Sequence, residues 1–338
     1  MHFPARLRPD GFVLALLATV LIASFLPARG GAADFAQFIA DAAIVFLFFL
    51  HGAKLSRAAV IAGAVHWRLH LAVLAMTFGI FPVLGLLLTM LPLLDPDLAA
   101  GVLFLSAAPS TVQSSVAFTA IAGGNVAAAV CSAALSSLLG VFLTPALVTL
   151  LIGGEQAGQF TTAAIVTIML QLVAPFLAGH LLRPMIGRWI EARAGLVSLA
   201  DRGAILLVVY AAFGAAVAEG LWTRTGTGEL LLVLLICVVM LVAALMLSAI
   251  IGRVLGFCEQ DRIVILFCGS KKSLAAGVPI AGVLFPAATV GTIILPLMIF
   301  HQIQLIVCAW IARWYAQRNP SQGAENGGDV SRDAPGRS

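Results

Sequence analysis

Two adjacent lysines, Lys271 and Lys272, stand inside an otherwise apolar run. The run reads Leu266-Phe267-Cys268-Gly269-Ser270-Lys271-Lys272-Ser273-Leu274-Ala275-Ala276-Gly277-Val278-Pro279. A charge at mid-membrane costs at least about 2.5–3.5 kcal/mol on insertion scales, so two in a row point to function. They lie roughly 12 Å from the nearer end of the run at helical rise. One could snorkel to the interface. Adjacent helix positions point about 100° apart, so both are not expected to escape the same way. A lysine facing inward could hold an anionic group as a fixed positive charge or carry a proton.

A second run has the same make-up: Leu103-Phe104-Leu105-Ser106-Ala107-Ala108-Pro109-Ser110-Thr111-Val112-Gln113-Ser114-Ser115-Val116. Pro109 cannot donate a backbone hydrogen bond and clashes with the preceding turn. In lipid, the backbone groups it frees must find partners. The hydroxyls of Ser110, Thr111, Ser114 and Ser115 can supply them, and so can an ion, a substrate or another broken helix. Gly269, Gly277 and Pro279 suggest a similar opening in the lysine-bearing run, where Ser270 and Ser273 flank the lysines. Two such helices crossing would gather half-helix ends around one small site. Ordinary interhelical packing also explains a Ser/Thr cluster taken alone. Matched positions in two halves of the chain favour the site.

The elements that must carry these residues follow from composition. Of 338 residues 61% are hydrophobic and 10% charged, against roughly 25% charged in an average soluble domain. Too few charges remain to cover a water-facing surface, so an all-α polytopic membrane protein is expected. Ten apolar runs are candidate spans: Gly11–Leu26, Phe35–Leu50, Leu69–Leu93, Leu98–Ala122, Val126–Ile152, Phe160–Leu182, Ala204–Ala218, Leu230–Ile251, Ile263–Phe285 and Val290–Trp314. Arg6 and Arg8 before Phe12–Leu26 imitate a signal peptide, but no small-x-small cleavage site follows, so a retained helix is expected. Gly123-Gly124-Asn125, Gly153-Gly154 and Pro286 are expected to make turns, and Arg57–Arg68 an interfacial helix. The transporter domain is expected over residues 1–316, with repeats at about 11–152 and 160–314 and a disordered tail at 317–338.

The basic balance, a formal +4, fits loops facing the cytoplasm rather than nucleic-acid binding. With the N-terminus inside and ten crossings, fifteen Lys and Arg fall on the cytoplasmic side, while Arg29 and Arg224 fall opposite. That excess supports both the count and cytoplasmic termini in an inner membrane. Ten spans divide into five and five, and an odd number in each half permits inverted repeats. The two polar-centred runs are each fourth in their half.

Other polar residues carry less weight. Asp41 near the end of the second run could line a path or act as a cap. His301, Gln302 and Gln304 put polarity into the tenth run, where His301 could relay protons or simply be hydrogen-bonded. Gln171 and His180 mark the sixth. The five cysteines show no ligand spacing and read as small core residues. No metal-ligand spacing or phosphate-binding loop is present, and no cofactor is expected.

At this point a resemblance becomes specific. The strings His66-Trp67-Arg68-Leu69-His70-Leu71, Gly123-Gly124-Asn125-Val126-Ala127-Ala128-Ala129 and, above all, Phe267-Cys268-Gly269-Ser270-Lys271-Lys272-Ser273-Leu274 are similar to the bile acid:sodium symporter superfamily, in its SBF-like branch. The likeness covers roughly residues 10 to 316. It implies a panel domain of spans 1, 2, 6 and 7 and a core domain of spans 3, 4, 5, 8, 9 and 10, with 4 and 9 broken and crossed. Substrate would bind beside the crossing and, in sodium-coupled members, ions behind it. By the same resemblance Ser114 matches an ion-site serine, Ser115 falls where an asparagine ligand is common, and Thr77 where a glutamine occurs. Fifth-span hydroxyl ligands fall near Ala129 and Ser132. The acidic ligand falls at Phe267 and a glutamine at Lys271. A cation site that loses a carboxylate and gains a lysine is a poor sodium site.

The resulting expectation is a secondary transporter of a small organic anion. Its site residues would be Thr77, Ser110, Thr111, Gln113, Ser114, Ser115, Asn125, Ser132, Ser270, Lys271, Lys272, Ser273, His301 and Gln304. Sodium or protons would be the coupling ion, with the departures speaking against sodium and the lysine ammonium standing where sodium would. An intramembrane Ser–Lys enzyme built on Ser114 or Ser270 lacks a visible oxyanion motif, and a channel lacks repeated rings of charge. Substrate identity and oligomeric state are not legible.

Overall fold

The computed structural model describes residues 11–54, 66–90, 94–156 and 162–318. Among them the regular structure is helical throughout. The helices are α1 (Gly11–Phe25), α2 (Gly31–Lys54), α3 (Trp67–Thr89), α4 (Pro96–Ala107), α5 (Gln113–Ile121), α6 (Val126–Gln156) and α7 (Thr162–Ala192). They continue as α8 (Ala194–Ala218), α9 (Leu221–Arg224), α10 (Thr227–Val254), α11 (Glu259–Gly269), α12 (Leu274–Leu284) and α13 (Ala287–Arg318). Seven helical stretches among the described residues are long and apolar enough to cross a membrane, counting Glu259–Leu284 as one.

Local chemistry accounts for the starts and stops. Asp95 caps α4 by accepting from Asp97 N at 2.9 Å, and Pro96 takes the first helical position, where no N–H is needed. The helix stops where Ala108 turns extended (φ −63°, ψ 149°), the conformation that a following proline favours. α11 carries Glu259 and Asp261 in its first turn, complementing the helix dipole. Ser273 restarts the chain as the cap of α12, its Oγ accepting from Ala276 N at 3.1 Å.

Several boundaries differ from the expectations. Gly153 and Gly154 lie inside α6 rather than in a turn. Glycine costs a helix only about 1 kcal/mol, less than exposing unpaired peptide groups to lipid. Gly277 and Pro279 likewise sit within the continuous α12, so the interruption spans Ser270 to Ser273 alone. Gly277 instead makes room: an added Cβ would lie 2.4 Å from a Leu297 methyl. α7 ends ten residues beyond its apolar run and α8 begins ten before its own, because hydropathy marks only the lipid-embedded part of a helix. Gln317 and Arg318, expected in the tail, belong to α13. The expected interfacial helix falls mostly on residues outside those described, as do Asn319 to Ser338.

Two sets of contacts organise the packing. α2 lies along α7 and α8, and α1 along α8. The other long helices gather around α11 and α12, where 89% of the most apolar stretch is buried, against 50% or less in the other six long apolar stretches among the described residues. The lysine-bearing segment is therefore the axis of the molecule rather than a lipid-facing helix. α8 joins the two sets through α12 and α13.

The α2–α7 crossing is set by two glycines. A Cβ on Gly52 would lie 1.9 Å from the Phe176 carbonyl oxygen, and one on Gly179 would lie 2.0 Å from that of Phe49. Small residues let helix backbones meet in this way. Gly52→Val or Gly179→Val is expected to destabilise the protein by about 1–3 kcal/mol. The check is the melting temperature of detergent-purified protein, and an unchanged value would contradict the contact.

Candidate functional site

An interrupted helix leaves carbonyls without intrahelical donors, and inside a membrane each needs another partner. At the end of α4 the partners can be named one by one. Ser106 O and Ala108 O accept from Lys272 Nζ at 2.7 and 2.8 Å. Ala107 O accepts from Thr144 Oγ1 at 2.9 Å, and Pro109 O from Ser273 N at 2.7 Å. The Ser110 N–H, which a continuous helix would give to Ser106 O, donates to Ser136 Oγ at 3.0 Å.

The end of α11 is treated the same way by α5 and its approach. Ser115 Oγ donates to Phe267 O at 3.0 Å, Ser110 Oγ to Cys268 O, and Ser270 Oγ back to Leu266 O. The Lys272 peptide is clamped from α13. Its N–H donates to Gln304 Oε1, and its carbonyl accepts from Gln304 Nε2, both at 2.8 Å. His301 Nδ1 accepts from the same Gln304 nitrogen at 2.8 Å. The two breaks are thus bonded to each other and to α13.

A third source of free carbonyl lies in α3. Residues Met76–Ile80 form a π-turn, in which the Phe81 N–H donates to Met76 O instead of Thr77 O. The next donor would be Pro82, which has none. Thr77 O is therefore left for Lys272 Nζ, at 2.7 Å. Thr77 contributes its carbonyl, while its hydroxyl donates to Val73 O at 2.9 Å. The Lys272 amine, fully buried, also lies 4.2 Å from the centre of the Phe81 ring.

Lys271 is equally buried but poorly satisfied. Its amine donates to Ser114 Oγ at 3.2 Å and sits 4.4 Å over the Phe118 ring and 5.8 Å from that of Phe267. Ser114 Oγ donates on to Thr111 Oγ1 at 2.9 Å, and Thr111 shares a 2.9 Å bond with Ser115. Among the described residues neither lysine has an ion-pair partner. An ammonium has three donors, and Lys271 spends one of them on a neutral hydroxyl.

The fold thus brings together Thr77, Ser110, Thr111, Ser114, Ser115, Ser270, Lys271, Lys272, Ser273, His301 and Gln304. Three expected members stand apart. Gln113 is exposed at the start of α5. Asn125 caps α6 by accepting from Ala128 N and donates to Asp261 Oδ1, each at 3.0 Å. Ser132 pairs at 2.7 Å with the buried His70. Asp41 is exposed and bonded to Gln37 one turn earlier. Ser136, Thr144, Phe81 and Phe118 were not foreseen, because a lone hydroxyl or phenyl in an apolar helix carries no signal of what it faces. Proline one residue beyond Phe81 was the available clue to the free Thr77 carbonyl.

Comparison with known proteins identifies the family. The chain is 51% identical to YfeH of Escherichia coli (strain K12), a protein that goes under the name of a symporter, over 91% of this chain and 93% of that one. It is 54% identical to PA2026 of Pseudomonas aeruginosa, over 94% and 96% of the two chains. It is 26% identical to sodium/bile acid cotransporter 7 of Rattus norvegicus, over 91% and 92%. The family model of the SBF-like CPA transporters matches residues 10–317. With that match and these relatives, the chain belongs to the SBF-like CPA transporter family, a family of membrane transporters and not of enzymes.

Proposed function

We propose that the protein is a secondary active transporter that moves a small organic anion across the cell inner membrane by alternating access. The observation that carries this reading is the Lys271 amine, buried and without a carboxylate partner. A buried charge left uncompensated is costly unless something pairs with it. A carboxylate or sulfate of a substrate fits that need. Ser114, half-buried beside the amine, would help to orient it.

The helices are consistent with ten crossings in two inverted halves. α1, α2, α3, α4 with α5, and α6 make one half; α7, α8, α10, α11 with α12, and α13 make the other. The contact pattern supports a panel of α1, α2, α7 and α8 moving against a core of the rest within a single domain over residues 1–316. The fifteen-to-two bias of cationic residues supports cytoplasmic termini.

Sodium coupling is disfavoured by the same positions that carry the resemblance. Phe267 stands where an acidic ligand is expected, and its ring meets Phe118 at 6.0 Å. The Thr77 hydroxyl is spent on its own helix, and Ser132 on His70. A proton is the coupling ion left by this reading, and bile-acid-like anions are one candidate class of substrate.

Screening purified protein against organic carboxylates and sulfates, taurocholate included, is expected to find anions that raise its melting temperature. Lys271→Met should weaken that binding by about 10–100-fold while leaving the unliganded melting temperature unchanged or higher. Uptake of such an anion into proteoliposomes should be the same with and without a sodium gradient. Anions that bind the variant as well as the wild type would refute the role of Lys271. For topology, alkaline phosphatase fused after Arg318 should be inactive, and fused after Gln156 active. The reverse pattern would overturn the orientation.

A further inference from the structure

The surroundings of Lys272 differ in kind from those of Lys271. Three main-chain carbonyls, from Thr77, Ser106 and Ala108, converge on its Nζ at 2.7–2.8 Å. They come from two separate interruptions, the π-turn of α3 and the broken end of α4. Among the described residues no side-chain acceptor joins them, and the Phe81 and Phe78 rings lie 4.2 and 5.9 Å away. Rings of peptide carbonyls are the way proteins replace the hydration shell of a monovalent cation.

Hydrogen-bond stoichiometry gives the charge of the occupant. Three acceptors at these distances use three N–H donors, which only an ammonium has. A neutral amine would turn a lone pair toward one of the carbonyls. The distances are those of charge-assisted bonds.

We propose that this junction is a monovalent-cation site whose cation is the chain's own Lys272 ammonium, attached covalently and so unable to dissociate. The ammonium cross-links the α3 π-turn to the α4 break, as a bound sodium or alkylammonium ion would. Once the side chain is removed, the three carbonyls form a site that accepts a free cation of that class. Independence of transport from sodium is a consequence that rests on the carrier reading above. Cation binding does not, so the two can fail separately.

The test is the melting temperature of the purified full chain in sodium, choline or methylammonium chloride at equal ionic strength. The wild type should melt alike in all three. Lys272→Ala should melt roughly 5 °C or more lower in choline and regain most of the loss in methylammonium or sodium. Lys272→Met, whose apolar stem fills the space and brings no donor, should stay low in every salt. A Lys272→Ala protein insensitive to the choice of salt would overturn the proposal. So would a sodium-specific stabilisation of the wild type, which would reveal a dissociable site and requires no variant to fold.

Discussion

Everything at the centre of this protein depends on one constraint: peptide groups freed inside a membrane have to be bonded again. α4 stops at Ala107 and α11 at Gly269, both within the most buried part of the fold. Serine hydroxyls, a glutamine amide, a threonine and a lysine ammonium then satisfy the loose ends by name. The Ser273 N–H to Pro109 carbonyl bond joins the two breaks directly. Each break supplies partners for loose ends of the other, which accounts for the polar residues of both runs.

The two lysines illustrate how neighbours in sequence come to do different work. Both stand in the non-helical interruption between α11 and α12, and their side chains leave it toward different partners. Lys272 enters a cage of carbonyls where every donor is used. Lys271 turns toward α5 and meets a single hydroxyl and two aromatic faces. The first is a fastening, saturated and rigid. The second is a buried need left largely unmet, and such a need is what the proposed anionic solute would meet. Placing both on the most enclosed segment keeps water from competing with either, since effective electrostatic interactions strengthen as the local dielectric falls.

Position in the fold adds a mechanical reading. α2 and α7 meet through glycines at backbone contact, a packing with little slack. α3, α6 and α13 surround the crossing and are tied to it by hydrogen bonds through Thr77, Ser136, Thr144 and Gln304. Between these two assemblies the contacts are chiefly apolar and run through α8. Groups bonded internally by polar links and to one another by apolar surface can slide as units, because lipid-like contacts have no directional bonds to break.

Much of this was legible in the chain of letters. Apolar run length marked the membrane helices, because the hydrocarbon thickness sets a minimum. Pro109 marked the first break, but the hydroxyls that follow it bond the end of α11 or one another, and Lys272, Thr144 and Ser273 close the end of α4. Lys271 and Lys272 marked the centre, because charges are too costly to place there without purpose. Glycine was a poorer guide: Gly153, Gly154 and Gly277 proved compatible with continuous helix, because apolar surroundings enforce backbone bonding. What sequence could not supply was partnership. That the Thr77 carbonyl rather than its hydroxyl meets an amine, that Ser132 belongs to His70, and that Gln113 faces outward are outcomes of how helices far apart in the chain rotate and pack. The tertiary structure alone decided which lysine was saturated and which was left open, because that choice depends on three carbonyls brought to one point from two elements 164 to 195 residues from the lysine that joins them.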